Sequence, residues 1–179
     1  MESLKDILSI DPDAQTKTVK KGQILQRAGD SSARTFFVKK GLLRSYIIDS
    51  KAKEHIFHFA SEGWFIADVE SLEFHKKVEL YIDCLEDSEV VIFDKDCLFK
   101  ANLPKERIVD NARLLYRRMG VLQRRVLMLM STPAMDRYAY FLKTYPDIHS
   151  RIPQHMVATY LGITPQALST IRGKIARGQ

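Results

Sequence analysis

The sequence predicts an α+β protein in three parts: a small all-β unit, one long helix, and a C-terminal pair of short helices around a tight turn. Three observations carry this. Short alternating or apolar runs punctuated by glycine fill residues 17 to about 94, an apolar seam at helical spacing runs from 103 to 130, and IPQHMVATYLGITPQALSTIRGKI (152–175) holds two helical patterns sharing one glycine.

With 45% hydrophobic residues in 179, the chain has enough apolar surface for a real core. No run approaches the roughly 18 apolar residues of a membrane span, and MESLKDILSIDPD has no signal-peptide core, so a cytoplasmic protein with no membrane partner is expected. Cys84 and Cys97 are the two cysteines, and they form no CxxC; reduced thiols and no metal or iron–sulfur site follow. Charge is divided unevenly: residues 1–99 hold 14 Lys+Arg against 18 Asp+Glu, and residues 100–179 hold 14 against 4. A net of +10 on the helical part is the electrostatic footprint of a polyanion-binding surface. No nucleophile with a neighbouring base, no phosphate-binding glycine loop and no metal-spaced cluster stands out, which argues against an enzyme.

Within the β unit, strands are expected near Thr35–Lys39, Leu42–Ile48, His55–Ala60 and Glu89–Phe93, separated by turns at Gly41 and Gly63, in a barrel or sandwich. A short helical start, Leu4–Ile10, precedes them. His55 and His58 fall on opposite faces of a regular strand and so do not converge as ligands. Phe36, Phe37, Phe57, Phe59, Trp64, Phe65 and Tyr81 read as core, with a pocket lining as the alternative. Asp83, Glu86 and Asp87 read as solvated turn acids.

The long helix carries Ile108, Ala112, Leu115, Met119, Leu122, Val126 and Leu129 at alternating steps of four and three. A stripe this narrow is a heptad seam, suited to packing on an identical helix, so a homodimer is expected. Leu114, Val121 and Met128 offer a second apolar face toward the chain's own core. Gly120 is a weak point in the middle, and Ser131-Thr132-Pro133 ends the helix before another at Ala134–Lys143.

In the C-terminal stretch, Pro153 opens a helix that buries Val157, Ala158 and Leu161, and Gly162 ends it in a left-handed turn plugged by Ile163. Thr164 as N-cap and Pro165 in the first turn start a second helix burying Leu168, Ile171 and Ile175. Its outward face then carries Gln166, Ser169, Thr170 and Gly173, flanked by Arg172 and Lys174. Small, polar and basic tips of this kind suit the DNA major groove, with an ordinary helical hairpin as the bland alternative.

A β unit, a heptad helix and a helix-turn-helix in that order resemble the Crp/Fnr family of bacterial transcription regulators. The likeness spans nearly the whole chain and rests on Lys21-Gly22-Gln23-Ile24-Leu25, Ala28-Gly29-Asp30, Phe37-Val38-Lys39-Lys40-Gly41 and Leu161-Gly162-Ile163-Thr164-Pro165. The resemblance implies a cyclic-nucleotide-binding β-roll, or double-stranded β-helix, over 1–102, a dimerisation helix over 103–131, and a helix-turn-helix DNA-binding domain over 132–179. It also implies a homodimer on a palindromic double-stranded operator.

Two departures accompany the resemblance. Where the family's phosphate cassette has Gly-Glu, this chain has Ala67-Asp68; where it has arginine followed by serine or threonine, a gapless count reaches Val78-Glu79. Valine offers no forked donor and glutamate repels an anion, so no cyclic-nucleotide cofactor is expected, any small-molecule effector is of unknown identity, and Lys76 and Lys77 compensate only in part. On the second helix, Gln166 and Thr170 stand where members often have glutamate and arginine, so the operator should differ from the commonest one. Gln154 and Thr164 at helix starts, with Arg172 and Lys174, are the expected phosphate contacts. With four residues after Ile175, no wing is evident. The alternative function is a dimeric effector-binding or protein-interaction module that has lost specific DNA binding.

Overall fold

The computed structural model describes residues 14–93 and 105–178, and the chain divides into two compact units, Met1–Asn102 and Leu103–Gln179. The expected helix at Leu4–Ile10, the thiol of Cys97 and the side chain of Leu114 lie outside the described residues.

The first unit contains β1 (Gln15–Val19), β2 (Ile24–Gln26), β3 (Thr35–Lys40), β4 (Leu43–Ile48), β5 (Glu54–Ala60), β6 (Phe65–Ala67), α1 (Val69–Phe74), β7 (Tyr81–Cys84) and β8 (Ser88–Phe93). Two four-stranded antiparallel sheets, ordered β1-β8-β3-β6 and β2-β7-β4-β5, form a jelly-roll-like sandwich. Phe36, Val38, Leu43, Ile66, Ile82, Cys84 and Val90 form one buried cluster, as period-two alternation demands of a half-buried strand. Gly41 turns β3 into β4 at φ +99°, and a Cβ there would stand 2.2 Å from the Ser88 hydroxyl, so both backbone and space require glycine.

Three expectations for this unit change. A bulge places the register of β4 and β5 at Ser45↔His58 and then Tyr46↔Ile56, so Phe57 is the extra residue and His55, opposite Ile47, shares a face with His58. The two imidazoles still part: His55 bonds Asp49 at 2.8 Å, and His58 packs on Trp64. Phe57 itself is 43% exposed, whereas Phe36, Phe37 and Phe59 are buried. Asp83 is no turn acid but a buried β7 residue taking two 2.9 Å bonds from the Arg44 guanidinium, which also pairs with Glu54 and lies over the Tyr46 ring. Burial opposes the Arg44 charge, and the two carboxylates outweigh it, holding its pKa above the ordinary value. Asp87, by contrast, is exposed and pairs with Lys20.

The second unit contains α2 (Lys105–Ser131), α3 (Ala134–Thr144), α4 (Gln154–Leu161) and α5 (Pro165–Ala176). Pro133 separates α2 from α3, and α2 runs through Gly120 without interruption. Phe141, Tyr145 and Tyr160 meet at ring separations of 5.4–5.8 Å, and with Ile148, Val157, Ala158, Leu161 and Leu168 they make this unit's core. No helix among the described residues is long and apolar enough to cross a membrane.

Candidate functional site

The α4–α5 pair is held by local chemistry that the sequence specifies. Gly162 takes φ +65°, Ile163 N–H donates to the Ala158 carbonyl at 3.0 Å, and the chain reverses as in a Schellman closure. A Cβ on Gly162 would press on Leu129 at 3.3 Å. Thr164 caps α5 by accepting from Ala167 N–H at 3.1 Å, with Pro165 in the first turn. Pro153 is the N-cap of α4 rather than its first helical residue, because its ψ of 144° is extended. Leu168 and Ile171 are buried as expected, but Ile175, in the last turn of α5, is 42% exposed.

Two arginines that the sequence reading passed over fix this pair to its neighbours. Arg137 Nη1 donates to the Leu161 carbonyl at 2.7 Å and its Nε to the Thr132 carbonyl at 2.9 Å, while Arg125 Nη2 donates to the Tyr160 carbonyl at 3.2 Å. Cations here satisfy the unpaired carbonyls at the C-terminus of α4 and complement its dipole. Arg125 is also stacked over Tyr160 at 4.0 Å. Beside them is a cavity of about 20 Å³, room for a single water.

On α5, Gln166, Ser169 and Thr170 are exposed on one face, with Arg172 and Lys174 exposed on its flanks. Gln154 and Thr164, at the starts of α4 and α5, are exposed as well. The Thr170 hydroxyl donates to the Gln166 carbonyl at 3.1 Å. Along α2, Ile108, Ala112, Leu115, Met119, Leu122, Val126 and Leu129 are all exposed, while Met128 on another face is buried. Seven apolar or small residues in one open heptad line are an unusual surface for a single helix.

The cassette positions come together in an arrangement the sequence did not foretell. Ala67 ends β6, and Asp68, 2% exposed, caps α1 by accepting from Ser71 N–H at 3.2 Å. Its other oxygen accepts from Glu79 N–H at 2.8 Å and Leu80 N–H at 3.0 Å. Burial works against the carboxylate charge, and these backbone donors outweigh it, so the Asp68 pKa lies below the ordinary value. Val78 is buried and bonded through its backbone to Gly29 and Asp30, and Glu79 is exposed. Lys76 pairs with Glu70. Burial pushes the pKa of the Cys84 thiol up to about 12.

Residues 16–101 match the cyclic nucleotide-binding domain family. No curated protein matches the chain by sequence. Among solved structures, the c-di-GMP responsive global regulator CLP of Xanthomonas campestris aligns with a TM-score of 0.70 at 14% identity over 98% of this chain and 93% of that one. FixK2 of Bradyrhizobium japonicum aligns at 0.71 and 21% identity over 92% and 85%. TTHA1359, a transcriptional regulator of the CRP/FNR family from Thermus thermophilus, aligns at 0.69 and 18% identity over 92% and 87%. Residues 16–101 of the first unit are thus similar to cyclic nucleotide-binding domains, and the chain shares its fold with solved structures that include a transcriptional regulator of the CRP/FNR family.

Proposed function

We propose that the chain is a homodimeric, DNA-binding transcription regulator of the Crp/Fnr type whose β-roll does not respond to cyclic AMP. The observation that carries DNA binding is the exposed face of α5: Gln166, Ser169 and Thr170 at helical spacing, flanked by Arg172 and Lys174, behind a glycine-closed and threonine-capped turn. A helix with that face enters a major groove with its amide at base edges and its cations at phosphates, while Gln154 and Thr164 present helix starts to the backbone. The open seam from Ile108 to Leu129 supplies the two-fold contact, and two-fold symmetry asks for a palindrome.

Loss of cyclic-nucleotide binding is supported by the Asp68 carboxylate, which already takes three backbone N–H groups around the cassette, and by the buried Val78. An anion brought there would meet a fixed negative charge, with valine and glutamate at the two positions where the family has arginine and serine or threonine. Selection of bound sequences from random DNA by the purified protein tests the main reading: an enriched palindrome supports it, and no enrichment favours a dimeric interaction module. Calorimetry with cyclic AMP and cyclic GMP tests the second part, and micromolar binding of either overturns it.

A further inference from the structure

Resting on the DNA-binding reading above, we infer that Thr170 reads a thymine through its methyl group rather than by donating its hydroxyl proton to any base. A threonine hydroxyl has one proton to give, and in this helix it goes to the Gln166 carbonyl one turn back, at 3.1 Å. The oxygen is thereby held toward the helix backbone, and the γ-methyl is the group that this exposed residue has left to offer a base edge.

The base edges in the major groove sort accordingly. Guanine shows only acceptors, N7 and O6, and Thr170 has no proton left for either. Thymine shows an O4 acceptor, equally unserved, and a C5-methyl group, which the Thr170 methyl meets by apolar contact. Ser169 and Gly173 share this face and add little bulk, so α5 can approach the groove floor closely enough for methyl to touch methyl. Gln166, one turn earlier, keeps its amide for the N6 and N7 of an adenine. The half-site therefore holds an adenine and a nearby thymine, read by two neighbouring residues through different chemistry.

Replacing each thymine of the selected operator by uracil removes one methyl and nothing else. Anisotropy titrations of wild type, Thr170→Ser and Thr170→Val on these duplexes supply the test, with circular dichroism confirming that both variants fold. One uracil per half-site removes two methyls from the palindrome and should weaken wild type roughly 15-fold, about fourfold for each buried methyl-sized group. Thr170→Val should keep both the affinity and that sensitivity, and Thr170→Ser should lose the sensitivity. An operator with no methyl-dependent thymine, a uracil effect that persists in Thr170→Ser, or a Thr170→Val variant that loses binding while Thr170→Ser keeps it overturns the inference alone. If no sequence is enriched at all, the DNA-binding reading falls with it.

Discussion

The two units handle their polar and apolar groups in opposite ways. In the β-roll, charges turn inward and find partners within the unit: Asp68 on three amides, Arg44 between Asp83 and Glu54. In the helical unit, an apolar line along α2 and a small polar face on α5 are left open to solvent. Buried charge without a partner is costly, whereas an open seam or polar face costs little until a partner arrives. The contrast teaches that these charges of the first unit are neutralised within it, whereas the second leaves open the surfaces that the proposed partners would cover.

Breaking the Arg44–Asp83 pair tests the inward half most severely. Arg44→Ala strands two carboxylates and should cost about 3–5 kcal/mol, read by urea unfolding of the β-roll. The outward half is broken by placing charge on the seam. Leu115→Lys affects both copies across a two-fold contact and should weaken self-association roughly 100-fold in sedimentation equilibrium, about 3 kcal/mol, without changing the helical signal. An unchanged dimer would remove the seam assignment.

Asp68→Ala leaves three amides without their acceptor and should cost about 1–3 kcal/mol. Because the folded pKa of Asp68 lies below its unfolded value, its contribution is full above the ordinary carboxylate pKa, near ~4, and is lost as pH falls through the lower folded value. Melting curves across that acid range should therefore flatten in Asp68→Asn relative to wild type. The smallest effects sharpen the α5 face. Gln166→Ala should lower operator affinity by about 1–3 kcal/mol while leaving random DNA nearly unaffected, and Lys174→Ala should weaken both and lower the salt slope by about one. An equal loss on both DNAs in Gln166→Ala would move that residue from base reader to phosphate contact.

Legibility followed the range of the interactions. The four strands read from sequence are those with dense apolar or aromatic runs; β2 and β6 have three residues each, and β1 is mostly exposed, so alternation had too little to act on. The hairpin of α4 and α5 was legible because caps, glycine and periodicity act within one or two turns. Asp83 was misread because its partner, Arg44, lies 39 residues away, and the histidine faces because one bulged residue shifts the alternation. Asp68 was singled out as a departure, but its role depends on amides 11 and 12 residues further on.

The order of parts, the heptad line from Ile108 to Leu129 and the turn from Gly162 to Pro165 follow from spacing and backbone preference along the chain. That Asp68 is held by the amides of Glu79 and Leu80, that Arg125 and Arg137 hold the end of α4, and that Thr170 gives its proton to Gln166 emerge from the folded chain. Each of these is a matter of which donor stands within about 3 Å of which acceptor, and residue spacing alone does not settle that.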